Sequence, residues 1–187
     1  MNCICNEANH DSFNNIIKNE LKFFIDVNEI VNKNHCTSID LDLDRNLIDV
    51  TLNKNEILSS FNKMVGIYHL WVKEDYCLDH TSDKYLMLCV YVGKGHVKKR
   101  IKSHIKNKWA KKEKLYISFY ECDNRISKYL EQLFLDIYKF HLNSQENTGS
   151  EYLKTVWDEE RFIHGTDFSE QMEMMEKKNP DMFNLRV

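Results

Sequence analysis

Two segments constrain this chain more than any other part of it: Val65-Gly66-Ile67-Tyr68-His69-Leu70-Trp71-Val72 and Leu86-Met87-Leu88-Cys89-Val90-Tyr91-Val92-Gly93. Both are rich in β-branched and aromatic residues, which suit a pleated, half-buried surface. Each carries a glycine and a tyrosine, in opposite order, and together they read as paired strands over 64–72 and 85–93. The polar stretch 73–84 between them is longer than a tight turn, a length at which connections are often functional or insertions. Gly93 and Gly95 bracket Lys94 where the second strand is expected to pass into a helix, which lets the backbone approach something closely.

That helix, from about His96 to Lys111, sets Val97, Ile101, Ile105 and Trp109 four residues apart on a core-facing side. Arg100 and His104, also four apart, share another face. The run is strongly basic: Lys94–Lys114 holds 10 Lys/Arg against the single Glu113. The net charge of -3 conceals this, because residues 1–60 hold 5 basic and 10 acidic side chains and residues 126–187 hold 7 and 12. Residues 61–125 hold 14 basic and 7 acidic. A basic stripe on an acidic body suits a polyanion-binding groove, with Lys98, Lys99, Lys102, Lys106, Lys108 and Lys111 as the phosphate contacts. A solvated helix face is the ordinary alternative for a charge run.

Around this centre the periodicity predicts a helix over 12–34, capped by Ser12, and a short acidic-faced hairpin over Ile39–Val50. A brief helix or connector follows at Lys54–Lys63. Leu115–Cys122 reads as a third strand. Asp123 or Asn124 caps a helix from about Arg125 to His141, whose largely apolar surface is interrupted by Glu131. Leu142-Asn143 closes that helix and Asn147-Thr148-Gly149-Ser150 forms a turn. The tail has aromatic anchors at Tyr152, Trp157 and Phe162 and a last helix at about 168–178, before Pro180. The expected organisation is an accessory region over 1–60, a core over 61–147 and an extension over 148–187.

No apolar run reaches the length of a membrane span, and the N-terminus lacks a secretory leader's pattern, so a cytoplasmic or nucleoid/nucleus-associated site of action is expected, without membrane partners. None of the six cysteines forms a CxxC pair. Cys3, Cys5 and His10, with His35 and Cys36, match no common zinc spacing.

The order of these residues resembles the GIY-YIG nuclease family. Gly66-Ile67-Tyr68 matches the first name motif, and Tyr91-Val92-Gly93 matches the second with Val for Ile. Arg100 and His104 stand where the family has an arginine and, one turn later, a histidine. Glu131 fits the family's metal-binding glutamate on the helix after the third strand, and Asn143 its asparagine just past that helix. The resemblance covers roughly residues 64–147, with a longer spacing between the tyrosine motifs than compact members have. It implies an α+β fold with a small central antiparallel three-stranded sheet flanked by helices, here with an N-terminal helix and hairpin and a C-terminal helical extension. It also implies a Mg²⁺-dependent endonuclease, with Mn²⁺ as a substitute, that cuts DNA to leave 5′-phosphate and 3′-hydroxyl ends in a restriction, repair or mobile-element role.

The chemistry suits such a set. Glu131 is the expected metal ligand, because one hard carboxylate plus phosphate oxygens and waters is a usual Mg²⁺ arrangement. Arg100 offers a fork of donors to the scissile phosphate. Tyr68 is the expected general base; since a phenol ordinarily titrates near ~10, Lys94 and Arg100 are expected to lower it. Tyr91 is expected to hydrogen-bond the phosphate or the attacking water, and His104 to orient Tyr68 or help move its proton. Asn143 is expected to hold the substrate backbone or pin the Glu131 helix. The rival functions are an RNA-directed or toxin-like nuclease and a nucleic-acid-binding module that does not cut. One active site cuts one strand, so a double-strand break requires a homodimer or two visits.

Overall fold

The computed structural model describes residues 10–21, 25–31, 36–39, 61, 63–74, 84–107 and 115–164. The expected hairpin beyond Ile39, the 54–63 connector apart from Phe61 and Lys63, the 73–84 connection beyond Glu74, and the 168–178 helix lie outside these residues. In chain order the elements are α1 (Asp11–Glu20), α2 (Val27–Val31), β1 (Cys36–Ile39), β2 (Val65–Lys73), β3 (Lys84–His96), α3 (Val97–Asn107), β4 (Leu115–Glu121), α4 (Asn124–Ile137), β5 (Lys154–Asp158) and α5 (Glu159–His164).

The fold is α+β, built on an antiparallel sheet, but the sheet has five strands rather than the three expected. Its order is β1-β4-β2-β3-β5. The expected three are its centre: β2 pairs with β3 on one side and β4 on the other. β1 extends the β4 edge, and β5 pairs with the first five residues of β3. Both additions are four- or five-residue strands whose partners lie far along the chain. Such short runs carry little period-2 signal of their own, and the Thr155 and Trp157 alternation of β5 was legible only as an aromatic anchor.

Alternation along β2 divides the interior. Ile67 and Trp71 join a cluster with Phe13, Ile17, Ile30, Leu130 and Phe134, which belong to α1, α2 and α4. Tyr68 and Leu70 join a second cluster with Val97, Ile101, Ile117 and Phe119, under α3. One face of the sheet therefore carries α1, α2 and α4, and the other carries α3. The helices of the N-terminal region and Trp157 of β5 share the first cluster with the central strands.

The 12–34 helix is two helices. α1 ends at Glu20, and Asn14 turns back to its successor: its Nδ2 donates to Asp26 Oδ2 at 2.8 Å and its Oδ1 accepts from the Val27 N–H at 3.1 Å. Asp26 Oδ1 accepts from the Asn28 N–H at 2.7 Å, so an acid side chain serves the start of α2. The helix expected to run to His141 ends at Ile137, and Leu142-Asn143 do not close it. Tyr138 is already extended, and the N–H groups of Thr148 and Gly149 bond Leu135 O while those of Ser150 and Glu151 bond Ile137 O. The returning chain satisfies the terminal carbonyls, the usual demand at a helix end. Tyr138 and Phe140 remain buried, which is why the apolar pattern continues past the true end. Among the described residues no helix is long and apolar enough to cross a membrane.

Candidate active site

The strand expected to stop at Gly93 continues to His96, so the glycine-flanked Lys94 lies inside β3. Register sets Tyr68 opposite Gly93 and Ile67 opposite Lys94. A Cβ on Gly93 would stand 2.6 Å from the Tyr68 hydroxyl and 2.7 Å from Tyr91 Cε1. The glycine is thus the space into which the first tyrosine lays its ring. Gly95, at φ +104°, takes a backbone conformation that favours glycine, and a Cβ there would meet nothing within 4 Å.

Tyr91, two residues before Gly93 and paired with Leu70, points to the same face as Tyr68. A β-bulge just before it turns the earlier part of β3 the other way. The register shifts between Leu70 and Trp71, which pair with Tyr91 and Cys89 respectively, leaving Val90 as the extra residue. Val90 and Tyr91 consequently both pack in the α3-side cluster, while Met87 and Cys89 pack in the cluster on the other face. The outer edge of the bulged strand is tied down by the loop after α4. The Leu142 N–H donates to Val90 O at 2.9 Å. Asn143 Oδ1 accepts from the Val92 N–H at 3.0 Å, and its Nδ2 donates to Val92 O at 2.9 Å. Asn143 therefore pairs like a strand residue with β3, and this is where its side chain is engaged, rather than at a helix end.

On the α3 side, Tyr68 and His104 are both buried and share a 2.8 Å hydrogen bond between the phenol oxygen and Nε2. The Tyr91 ring stacks on Tyr68 with centroids 6.0 Å apart and lies 4.4 Å from that of His104. Arg100, exposed one turn earlier on α3, acts on Tyr68 electrostatically. The lowered phenol expected for Tyr68 is not found. Burial pushes it far above the ordinary value, Tyr91 adds to the rise, and Arg100 opposes it without prevailing. Tyr68 is therefore protonated at neutral pH.

Lys94 does not serve Tyr68 in the way expected. Its ammonium pairs with Glu131 Oε2, from α4, on the opposite face of the sheet. Burial, Lys128 and Arg100 pull Lys94 below the ordinary lysine value, against Glu146. The expected constellation is thus two adjoining groups. Tyr68, Tyr91 and His104 are in contact on one face, and Lys94 and Glu131 are in contact on the other. Arg100 lies within electrostatic reach of both groups, and both border the Gly93–Gly95 end of β3. Lys128 and Glu146 also belong to this neighbourhood and were not singled out from the sequence. Lys128 stands three residues before Glu131 on α4, which is the one signal that could have marked it.

Of the expected phosphate contacts, Lys99, Lys102 and Lys106 are exposed and Lys98 half-buried on α3, whereas Lys108 and Lys111 lie outside the described residues. Among the described residues no group of three or more His, Cys, Asp or Glu is placed to hold an ion. The carboxylate in contact with Lys94 is that of Glu131. It fits a hard divalent cation only if phosphate oxygens and waters complete the shell and the ammonium gives way.

Comparison with family models, with curated proteins and with solved structures yields no match to this chain.

Proposed function

We propose that the protein is a divalent-metal-dependent endonuclease that hydrolyses phosphodiester bonds of DNA with a GIY-YIG-type site. The observation that carries this reading is the buried phenol–imidazole pair of Tyr68 and His104, with Tyr91 stacked beside it and a guanidinium at its rim. A phosphodiester laid over the Gly93–Gly95 end of β3 meets Arg100 on one side and Lys94 on the other. Arg100 binds the non-bridging oxygens and stabilises the charge that grows on them. Tyr68 orients the attacking water and passes its own proton to His104 as it takes one from the water, so the phenolate never has to exist alone in a buried site. Tyr91 holds the water or a phosphate oxygen against Tyr68. Glu131 is the residue that would hold Mg²⁺ or Mn²⁺, which when bound supplies a Lewis acid for the phosphoryl oxygens and the leaving group. Lys98, Lys99, Lys102 and Lys106 steer the polyanion to this face.

Supercoiled plasmid and RNA, each incubated with Mg²⁺ or with EDTA, test the reading. Metal-dependent nicking of the plasmid is expected; cutting confined to RNA assigns the RNA-directed alternative. One observation favours a second reading, a module that binds without cutting: the carboxylate expected to hold the metal is neutralised by Lys94. Salt-dependent binding of both nucleic acids without cleavage in Mg²⁺ or Mn²⁺ would decide for that module.

A further inference from the structure

We propose that Lys94 is a stand-in cation on Glu131, so that the divalent metal and the nucleic acid bind as a coupled pair. The inference rests on the nuclease reading above and deepens it. Glu131 is the carboxylate that pairs with Lys94 among the described residues, and both side chains are mostly withdrawn from solvent. While the ammonium stays, the carboxylate offers an incoming dication a neutralised partner, and the two cations repel each other.

The ammonium has a path to solvent, since Lys94 keeps 32% of its side chain exposed. Arg100 and Lys128 repel it, while Glu146 attracts it. A phosphate arriving between Arg100 and Lys128 gives Lys94 a second anion to follow, and its departure uncovers the Glu131 carboxylate as phosphate oxygens become available for a metal shell. Each ligand thereby removes the obstacle to the other, and linkage makes the effect reciprocal. The free protein holds metal weakly, and its cutting chemistry is assembled only on the polyanion.

The test is Mn²⁺ binding to the full chain without nucleic acid, measured by titration calorimetry for the wild type, Lys94→Met and Glu131→Gln. Lys94→Met is expected to bind Mn²⁺ about tenfold more tightly than the wild type, and Glu131→Gln not to bind it, a size typical of coupling between sites. In the Tyr68→Phe background, where the duplex stays uncut, Mn²⁺ is expected to tighten binding of a short DNA duplex about tenfold, and to lose that effect when Lys94→Met is added. Equal Mn²⁺ affinity for the wild type and Lys94→Met overturns the coupling but leaves the nuclease reading standing, provided Glu131→Gln still fails to bind. If Lys94→Met does not bind Mn²⁺ and plasmid cutting persists in EDTA, the metal assignment of Glu131 fails, and the coupling fails with it.

Discussion

His69 is expected to make the stability of this protein sensitive to mild acid. Its side chain is fully buried on the α4 side of β2, edge-on to Phe134 with ring centroids 4.7 Å apart. Neither ring nitrogen has a hydrogen-bond partner among the described residues. Burial alone takes its pKa from 6.5 down to about 3. In the unfolded chain the imidazole returns to its ordinary value, so between pH 6.5 and about 3 the unfolded state binds a proton that the folded state refuses. The fold therefore keeps its full stability above pH 6.5 and loses it as the pH falls through that window. Each unit of pH costs on the order of 1 kcal/mol, so at about pH 4.5 this one residue is expected to remove roughly 2–3 kcal/mol.

The perturbation is His69→Leu, and the assay is urea unfolding of both proteins at about pH 7.5 and about pH 4.5. Subtracting one protein from the other cancels the remaining titrating groups, including His10, whose pKa burial also lowers. At the higher pH the variant is expected to be as stable as the wild type or up to about 2 kcal/mol more stable, because it no longer buries two unpaired nitrogens. At the lower pH its advantage is expected to grow by roughly 2–3 kcal/mol. If the two proteins lose stability in parallel, to within about 0.5 kcal/mol, the imidazole is not held neutral and the reasoning fails.

Gly93→Ala forces a methyl group against the Tyr68 hydroxyl; a loss of about 1–3 kcal/mol is expected in urea unfolding, with cleavage falling further than substrate binding. Wild-type stability with unchanged cutting would show that the ring moves aside freely. Asn143→Ala leaves the Val92 N–H and C=O without their partner and is expected to cost about 1–3 kcal/mol, with faster hydrogen exchange at Val92 than in the wild type. Lys98→Ala with Lys102→Ala is expected to weaken binding of unrelated duplexes equally and to reduce the slope of log affinity against log salt by about 2. A changed sequence preference would instead mean that α3 reads bases.

Local pattern was enough for the central strands and for the two helices that follow them. β-branched and aromatic runs marked β2, β3 and β4, and the four-residue recurrence of Val97, Ile101 and Ile105 marked α3, because these signals sit within a single element. The positions of Tyr68, Tyr91, Arg100, His104 and Glu131 on those elements could be assigned for the same reason, whereas Asn143 lies in the loop beyond the true helix end. Their environments could not. Whether a phenol is raised or lowered depends on how much water it loses and which charges face it, and the burial that raises Tyr68 comes from strands and a helix up to about fifty residues away. The bulge at Val90 that lets Met87 and Cys89 face α4 while Tyr91 faces Tyr68 has no composition of its own. It is imposed by pairing with β2 on one side and by Leu142 and Asn143 on the other. Lys94 was legible as a cation in the right place, yet its partner was decided by which face of β3 it occupies and by what α4 lays against that face. The edge strands β1 and β5 likewise exist only because the hydrogen-bonding edges of β4 and β3 are there to receive them. Periodicity reports what each segment wants to bury; only the assembled sheet determines what it is buried against.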